Sequence, residues 1–413
     1  MGSTTKGFHS ADHPDLVLAE STRSELQHVW SLHHTMWGPA LRLEDYLARE
    51  EFLMTVPLAK GGGVTHWILT DRNAAPDDRP IYASCESLRK RALVARPGPS
   101  GPVVQEGIAH GIASVFTNPE YRGKGYASRM MKELGPRLAD WSEGRREPKE
   151  GGGNGGGDDD SAATRSLFSV LYSDIGKEFY AKNGWAAFES THLCFKPAAP
   201  ADAANAPSSS SSSKAKPLGY HDLAMLCHLD EKLLRGAMQQ RARGLGSSGR
   251  KQACAALLPD LDQFLWHLMR EDFMTKHIFH KTPTVRGASF GEPGRRIWAV
   301  WMRGYYGGLE KIEGNTFHIL RFVVEDEEAC SEDYVTEGFR SIIQLAQAEA
   351  AEWRSFDIQM WNPSQLLSNA AAKSGLEYKF VDREKDSIAS LMWYGAEPTE
   401  TVDWVANEKF AWC

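Results

Sequence analysis

No stretch of this 413-residue chain is apolar for long enough to cross a bilayer, which takes about 20 such residues in a row. The N-terminal residues are polar, so no signal peptide is expected. Met1-Gly2 opens like a myristoylation motif, but Lys6 stands where Ser or Thr is required. Basic charge is in deficit: 47 Lys and Arg against 54 Asp and Glu leave a net charge of -7, which argues against a general nucleic-acid binder. The six cysteines, at 85, 194, 227, 254, 330 and 413, form no C-x-x-C pair. That suits reduced thiols in a cytosolic protein better than a disulfide framework. The phrase Asn362-Pro363-Ser364 is no glycosylation acceptor because of its proline. No P-loop or G-x-S-x-G phrase occurs. His33-His34 and His277/His280 lack cysteine or carboxylate partners at ligand spacing, so no metal is expected. The expected setting is cytoplasmic, without membrane or nucleic-acid partners.

What is present suits two globular α/β domains with well-supplied cores, including 13 tryptophans. Three stretches read as unstructured. Residues 143–164 carry two glycine triplets and three aspartates and bury little. Residues 196–217 are Ala/Pro-rich and then serine-rich, a natural linker. Residues 239–251 read as a shorter basic loop. In the first half, strands are expected at 16–19, 64–70, 81–88, 108–117 and 167–172, with 185–195 completing the sheet. Helices are expected at 24–37, 44–54, 127–141 and 175–182.

The most informative stretch is Arg122-Gly123-Lys124-Gly125-Tyr126-Ala127. It joins the strand ending at Thr117 to a helix whose apolar stripe is Ala127, Met130, Met131, Leu134, Leu138 and Trp141. Glycines at a strand-to-helix turn let the backbone approach an anion, and the first helical N–H groups point at it without partners. Arg122 and Lys124 add positive charge at the same place, so the turn reads as a diphosphate cradle.

The second half reads as a worn copy of the first. Phe339, Ile342, Ile343, Ala346, Ala350 and Trp353 repeat the stripe at an offset of 212, and Ala372-Lys373-Ser374-Gly375-Leu376 echoes Ala181-Lys182-Asn183-Gly184-Trp185 at an offset of 191. The 21-residue difference nearly equals the glycine-rich insertion of the first half. In the copy, Glu325-Asp326-Glu327-Glu328, simplest as a solvated loop, stands where the cradle would be and would repel a diphosphate. One competent site is therefore expected.

The strand, Asn118-Pro119-Glu120-Tyr121 and the cradle together resemble the acetyl-coenzyme A signature of the GNAT acetyltransferases. Phe179-Tyr180-Ala181-Lys182-Asn183-Gly184-Trp185 is similar to the second phrase of that family. The resemblance implies a GNAT-type mixed sheet flanked by helices at 1–196, a linker at 197–217, and a degenerate GNAT-like α/β domain at 218–413. It implies an acetyl-CoA-dependent N-acetyltransferase without a metal. Val115, Phe116 and Thr117 would meet the cofactor through their main chain, Arg122, Gly123, Lys124, Gly125, Tyr126 and Ala127 would hold its diphosphate, and Tyr180 would be the general acid for the thiolate. Two departures stand out. Ala113 occupies the place where many members carry a glutamate base, and Ser173 the place of a cofactor-contacting asparagine. The base is thus open among His110, Glu86 and a water chain to solvent.

Across the whole chain, Ile112-Ala113-Ser114-Val115-Phe116, the run from Ser169 to Lys177, and the ending Asn407-Glu408-Lys409-Phe410-Ala411-Trp412-Cys413 resemble the fungal lysine N-acetyltransferases, which act on free L-lysine in its degradation. That implies an amino-acid acceptor. A polyamine, peptide or protein-lysine acceptor and a non-catalytic acetyl-CoA sensor are the competing readings. Trp404 and Trp412 in the tail are expected to dock, each burial contributing roughly 2–3 kcal/mol. Two fused copies also suggest a monomer.

Overall fold

The computed structural model describes residues 9–141, 166–199, 214–245 and 250–412. The expected insertion at 143–164 and most of the expected linker lie outside them.

The first half runs β1 (Leu16–Glu20), α1 (Arg23–Trp37), α2 (Leu43–Leu53), β2 (Val64–Asp71), β3 (Ala83–Arg96), β4 (Val103–Thr117), α3 (Tyr126–Ala139), β5 (Ser166–Ser173), α4 (Glu178–Ala181), β6 (Ala186–Ala187) and β7 (Thr191–Phe195). The second runs β8 (Lys216–Leu218), α5 (Tyr220–Gly244), β9 (Ala253–Leu257), α6 (Leu261–Phe279), β10 (Gly287–Phe290), β11 (Ile297–Tyr305), β12 (Asn315–Val324), α7 (Glu332–Glu352), β13 (Asp357–Trp361), α8 (Gln365–Lys373), β14 (Tyr378–Asp382), β15 (Ile388–Trp393) and β16 (Val402–Trp404). Helix starts follow local chemistry. Thr22 and Glu25 form a reciprocal capping box on α1, and the side chains of Asp260, Ser331 and Ser364 cap α6, α7 and α8.

Two mixed sheets repeat one topology. The first has the order β1-β2-β3-β4-β5-β15-β6 and the second β8-β10-β11-β12-β13-β7-β14. In each, the fourth and fifth strands pair parallel and every other neighbouring pair is antiparallel. The sixth place in each sheet is filled by the other half. β7 leaves the first half to lie between β13 and β14, while β15 returns to lie between β5 and β6. A division at 197–217 therefore does not separate the sheets, and the expected strand 185–195 is two strands in different sheets. The cause is apolar: Leu193 and Phe195 are buried in the second core, and Ala389, Leu391 and Trp393 in the first.

Two further expectations are corrected. Residues 239–244 continue α5, because Met238 and Ala242 extend its buried face against Leu93 and Ala95. Strands β3 and β4 run past their expected limits because the outer part of β3 pairs with β9. The stripe on α3 is nearly as read: Met130, Met131, Leu134 and Leu138 are fully buried, with Ala127 and Trp141 partly so. Its counterpart on α7 buries Phe339, Ile342, Ile343, Ala346 and Ala350.

Candidate active site

Strands β4 and β5 pair from Ile108 to Ile112, ending at Leu171, and then part. Just beyond, the β3–β4 ladder slips by one residue: Glu86 faces Ala113 and Ser84 faces Phe116, so Ser114 and Val115 together oppose Cys85. This is a β-bulge, which bends the strand and frees backbone groups from the ladder. Ser114 takes a left-handed conformation there, φ 52°, an uncommon state for a non-glycine residue. Main chain from Ala113 onward is thereby turned toward a cavity of about 300 Å³.

The cradle stands at the end of that strand. Gly123 and Gly125 have φ of 74° and 87°, where a side chain would be strained. Gly125 is the N-cap of α3 and supplies no side-chain acceptor, so the first amides of the helix remain for an external anion. A Cβ at Gly123 would meet nothing, which leaves room for a bound group. Arg122 lies over the Phe116 ring with its Nε on the Thr117 carbonyl, and Lys124 reaches the Glu120 carbonyl. The donor set and open backbone fit a diphosphate.

Val115, Thr117, Ala127 and Tyr180 line the cavity, so the residues read from the two phrases come together. Phe116 faces away, packing on His33 and Trp37. The Tyr126 side chain is buried beside Tyr82 with its hydroxyl on the His9 carbonyl, and only its backbone is available to the cradle. Burial holds the Tyr180 phenol well above its ordinary range, so it stays protonated and able to donate. Ser173, in the place of the family's asparagine, is used locally: its hydroxyl donates to Gly176 O and accepts from Ile175 N.

Of the two side chains read as candidate bases, one lines the cavity. His110 is buried, with neither ring nitrogen hydrogen-bonded among the described residues, and burial lowers it to about 3. It does not line the cavity. Glu86 does. Ser114 Oγ donates to its Oε1 at 2.6 Å, and His66 Nδ1 lies 3.5 Å from Oε2. Burial raises Glu86, a rise the Ser114 hydrogen bond and the charges of Arg270 and Arg49 only oppose. His66 is held down to about 4 by burial and is neutral there.

The sequence reading missed most of the remaining walls. From α2 come Tyr46, Arg49, Glu50 and Leu53, and from the second half Trp266, Arg270 and Tyr306, joined by Trp412 of the tail, for which the sequence raises a place in the pocket wall. The signal on α2 was an Arg and a Glu on the face that helical spacing assigns to the core. Nothing local marks the second-half residues, because chain folding alone brings them in. The tail docks as expected: Phe410 and Ala411 are fully buried, and Lys90 Nζ donates to Ala411 O at 2.8 Å.

The corresponding parting in the second sheet follows Ile319 and Met360. There the tail itself occupies the gap: Glu408 accepts from Phe322 N and pairs with Arg321, and Asn362 donates to Asn407 O at 2.5 Å. Of the acidic run expected in a solvated loop, residues 326–328 are exposed, while the Glu325 side chain packs against Arg296 and accepts from Gly294 N.

A bulged strand parting from its parallel neighbour, with a glycine cradle after it and a buried tyrosine opposite, defines a GNAT-type N-acetyltransferase. Residues 199–413 match the family described as the LYC1 GNAT-like C-terminal domain, and the chain belongs to that family. A protein of Yarrowia lipolytica named lysine acetyltransferase is 27% identical over 94% of this chain and 97% of its own. The uncharacterized protein YGR111W of Saccharomyces cerevisiae is 22% identical over 98% and 99%. Among solved structures, Saccharomyces cerevisiae N-myristoyltransferase with bound myristoyl-CoA is similar at a TM-score of 0.49 and 10% identity, over 94% of this chain and 82% of its own.

Proposed function

We propose that this enzyme transfers the acetyl group of acetyl-CoA to the side-chain amine of free L-lysine. The observation that carries the reading is the cavity at the parted strands. Glu86 and Tyr180 face it, and Trp266, Arg270, Tyr306 and Trp412 of the second half wall it. Such an enclosure suits a small amine better than a folded protein surface. The relative named lysine acetyltransferase supports the choice of amine.

In this reading the cradle at Gly123–Ala127 holds the diphosphate and the freed main chain of Ala113–Thr117 aligns the pantetheine arm. Glu86 accepts a proton from the incoming ammonium. The neutral nitrogen attacks the thioester carbonyl carbon, and the oxyanion forms against β4 amides. The C–S bond then breaks, Tyr180 gives its proton to the departing thiolate, and the second proton lost by the acylated nitrogen returns to the phenolate. The products are an acetamide and free coenzyme A, with one proton released overall. Fixed proximity of the reactants supplies much of the acceleration. A cytoplasmic monomer working in lysine degradation is part of the proposal, supported by the dispersed cysteines and the fused halves.

A thiol-release assay with acetyl-CoA against free amino acids, polyamines, peptide N-termini and lysine-containing peptides tests the assignment. Turnover is expected with L-lysine. Turnover confined to peptides, or cofactor binding with no turnover of any amine, would overturn it.

A further inference from the structure

Arg270 projects from α6 one turn beyond Trp266, whose ring is buried with Leu53, Val56, Leu58 and Leu88 of the first half. That anchor brings a second-half guanidinium to the catalytic cavity. Arg270 is part-exposed where it enters the cavity. Among the described residues it has no salt bridge, and its polar contact is the Tyr306 hydroxyl at 3.4 Å. The rings of Tyr306 and Trp412 lie 5.8 and 5.7 Å away.

The neighbouring charges are already engaged. Arg49 is held by Glu50 at 2.5 Å and by the Trp37 carbonyl. Glu86 takes the Ser114 hydroxyl. Glu50 and Glu86 influence Arg270 through space, yet neither comes within salt-bridge distance. A part-exposed guanidinium that lines the cavity without a carboxylate partner is free to take an incoming anion, and its planar fork matches a carboxylate.

We infer that Arg270, with Tyr306 beside it, is the seat for the α-carboxylate of the acceptor. The substrate class is therefore a free amino acid whose side-chain amine extends toward Glu86, and the second half acts as the specificity lid. This rests on the amine-acetylating reading and deepens it.

The test compares L-lysine with 1,5-diaminopentane, which is lysine without its carboxylate, using the full chain, acetyl-CoA and the variants R270Q and R270K. A charge-assisted pair corresponds to roughly 10- to 100-fold. The native protein is expected to favour lysine in kcat/KM by about that factor. R270Q should lose the preference, read as the ratio of the two kcat/KM values, because the lost charge also acts on Glu86 and changes turnover of both amines alike, while the KM for acetyl-CoA changes less than about twofold and R270K falls between. Equal use of both amines by the native protein, or equal loss of both in R270Q and R270K, would overturn the seat. If no amine is turned over, the function fails but the seat is still decided by titration calorimetry. Lysine binding that R270Q abolishes upholds the seat, and absence of lysine binding to the native protein removes it.

Discussion

Glu86 on β3 stands directly across the antiparallel ladder from Ala113 on β4. Facing residues of such a pair project from the same side of the sheet, and both line the cavity. A carboxylate thus reaches the cavity from β3, beside the position on β4 where the resemblance to the GNAT enzymes implies one. Its partner Ser114, held at φ 52° in the bulge, fixes the orientation.

Replacing Glu86 by Gln should lower kcat/KM about 100-fold or more, the usual size of general-base catalysis. The base works when ionised, and burial raises its pKa, so the acidic limb of native activity should lie above the ordinary carboxylate range and vanish in the variant. His66, neutral above about 4, should not contribute to that limb. Moving the carboxylate across the ladder, as Glu86→Ala with Ala113→Glu, should recover part of the loss. No recovery, together with an unchanged acidic limb in Glu86→Gln, would assign the base elsewhere.

Substituting Tyr180 by Phe should reduce kcat roughly 10- to 100-fold while leaving the KM for acetyl-CoA within about twofold, because the proton is given only as the thiolate leaves. Burial keeps the phenol protonated beyond its ordinary value near 10. Native activity should therefore not decline through Tyr180 ionisation as pH rises toward 10. Equal turnover by the variant would end its role as acid.

At the cradle, Gly123→Ala meets no atom within 4 Å, so the strain of φ 74° is isolated from packing. A cost of ~1 kcal/mol in stability is expected, with a several-fold rise in KM for acetyl-CoA and an unchanged KM for lysine. Unaltered acetyl-CoA affinity, measured by titration calorimetry, would show that the turn does not hold the diphosphate.

These residues were legible at different ranges. The cradle, Tyr180 and both buried stripes lie within phrases of a few residues, where glycine conformation and helical spacing act locally. Glu86 was only one of several candidates, since its value depends on the register that sets it opposite Ala113. Trp266, Arg270 and Tyr306 were invisible as cavity residues because no local pattern records which distant segments a fold brings together. The exchange of β7 and β15 escaped for the same reason: a strand's alternation shows that it pairs, and not with which sheet.

That exchange makes the halves interdependent. Without residues after 199, β5 would lose β15 from Ser173 to Phe168, leaving an open edge that invites aggregation. Phe195, fully buried in the second core, would be stranded. The second half alone would likewise lack β7 between β13 and β14. Residues 1–206 expressed alone should therefore be insoluble or lack a cooperative melt. Co-expression with residues 207–413 should yield a soluble complex that unfolds in one transition and acetylates lysine. A fragment of residues 1–206 that is monomeric, melts cooperatively and binds acetyl-CoA would show that the first sheet does not need its borrowed strand.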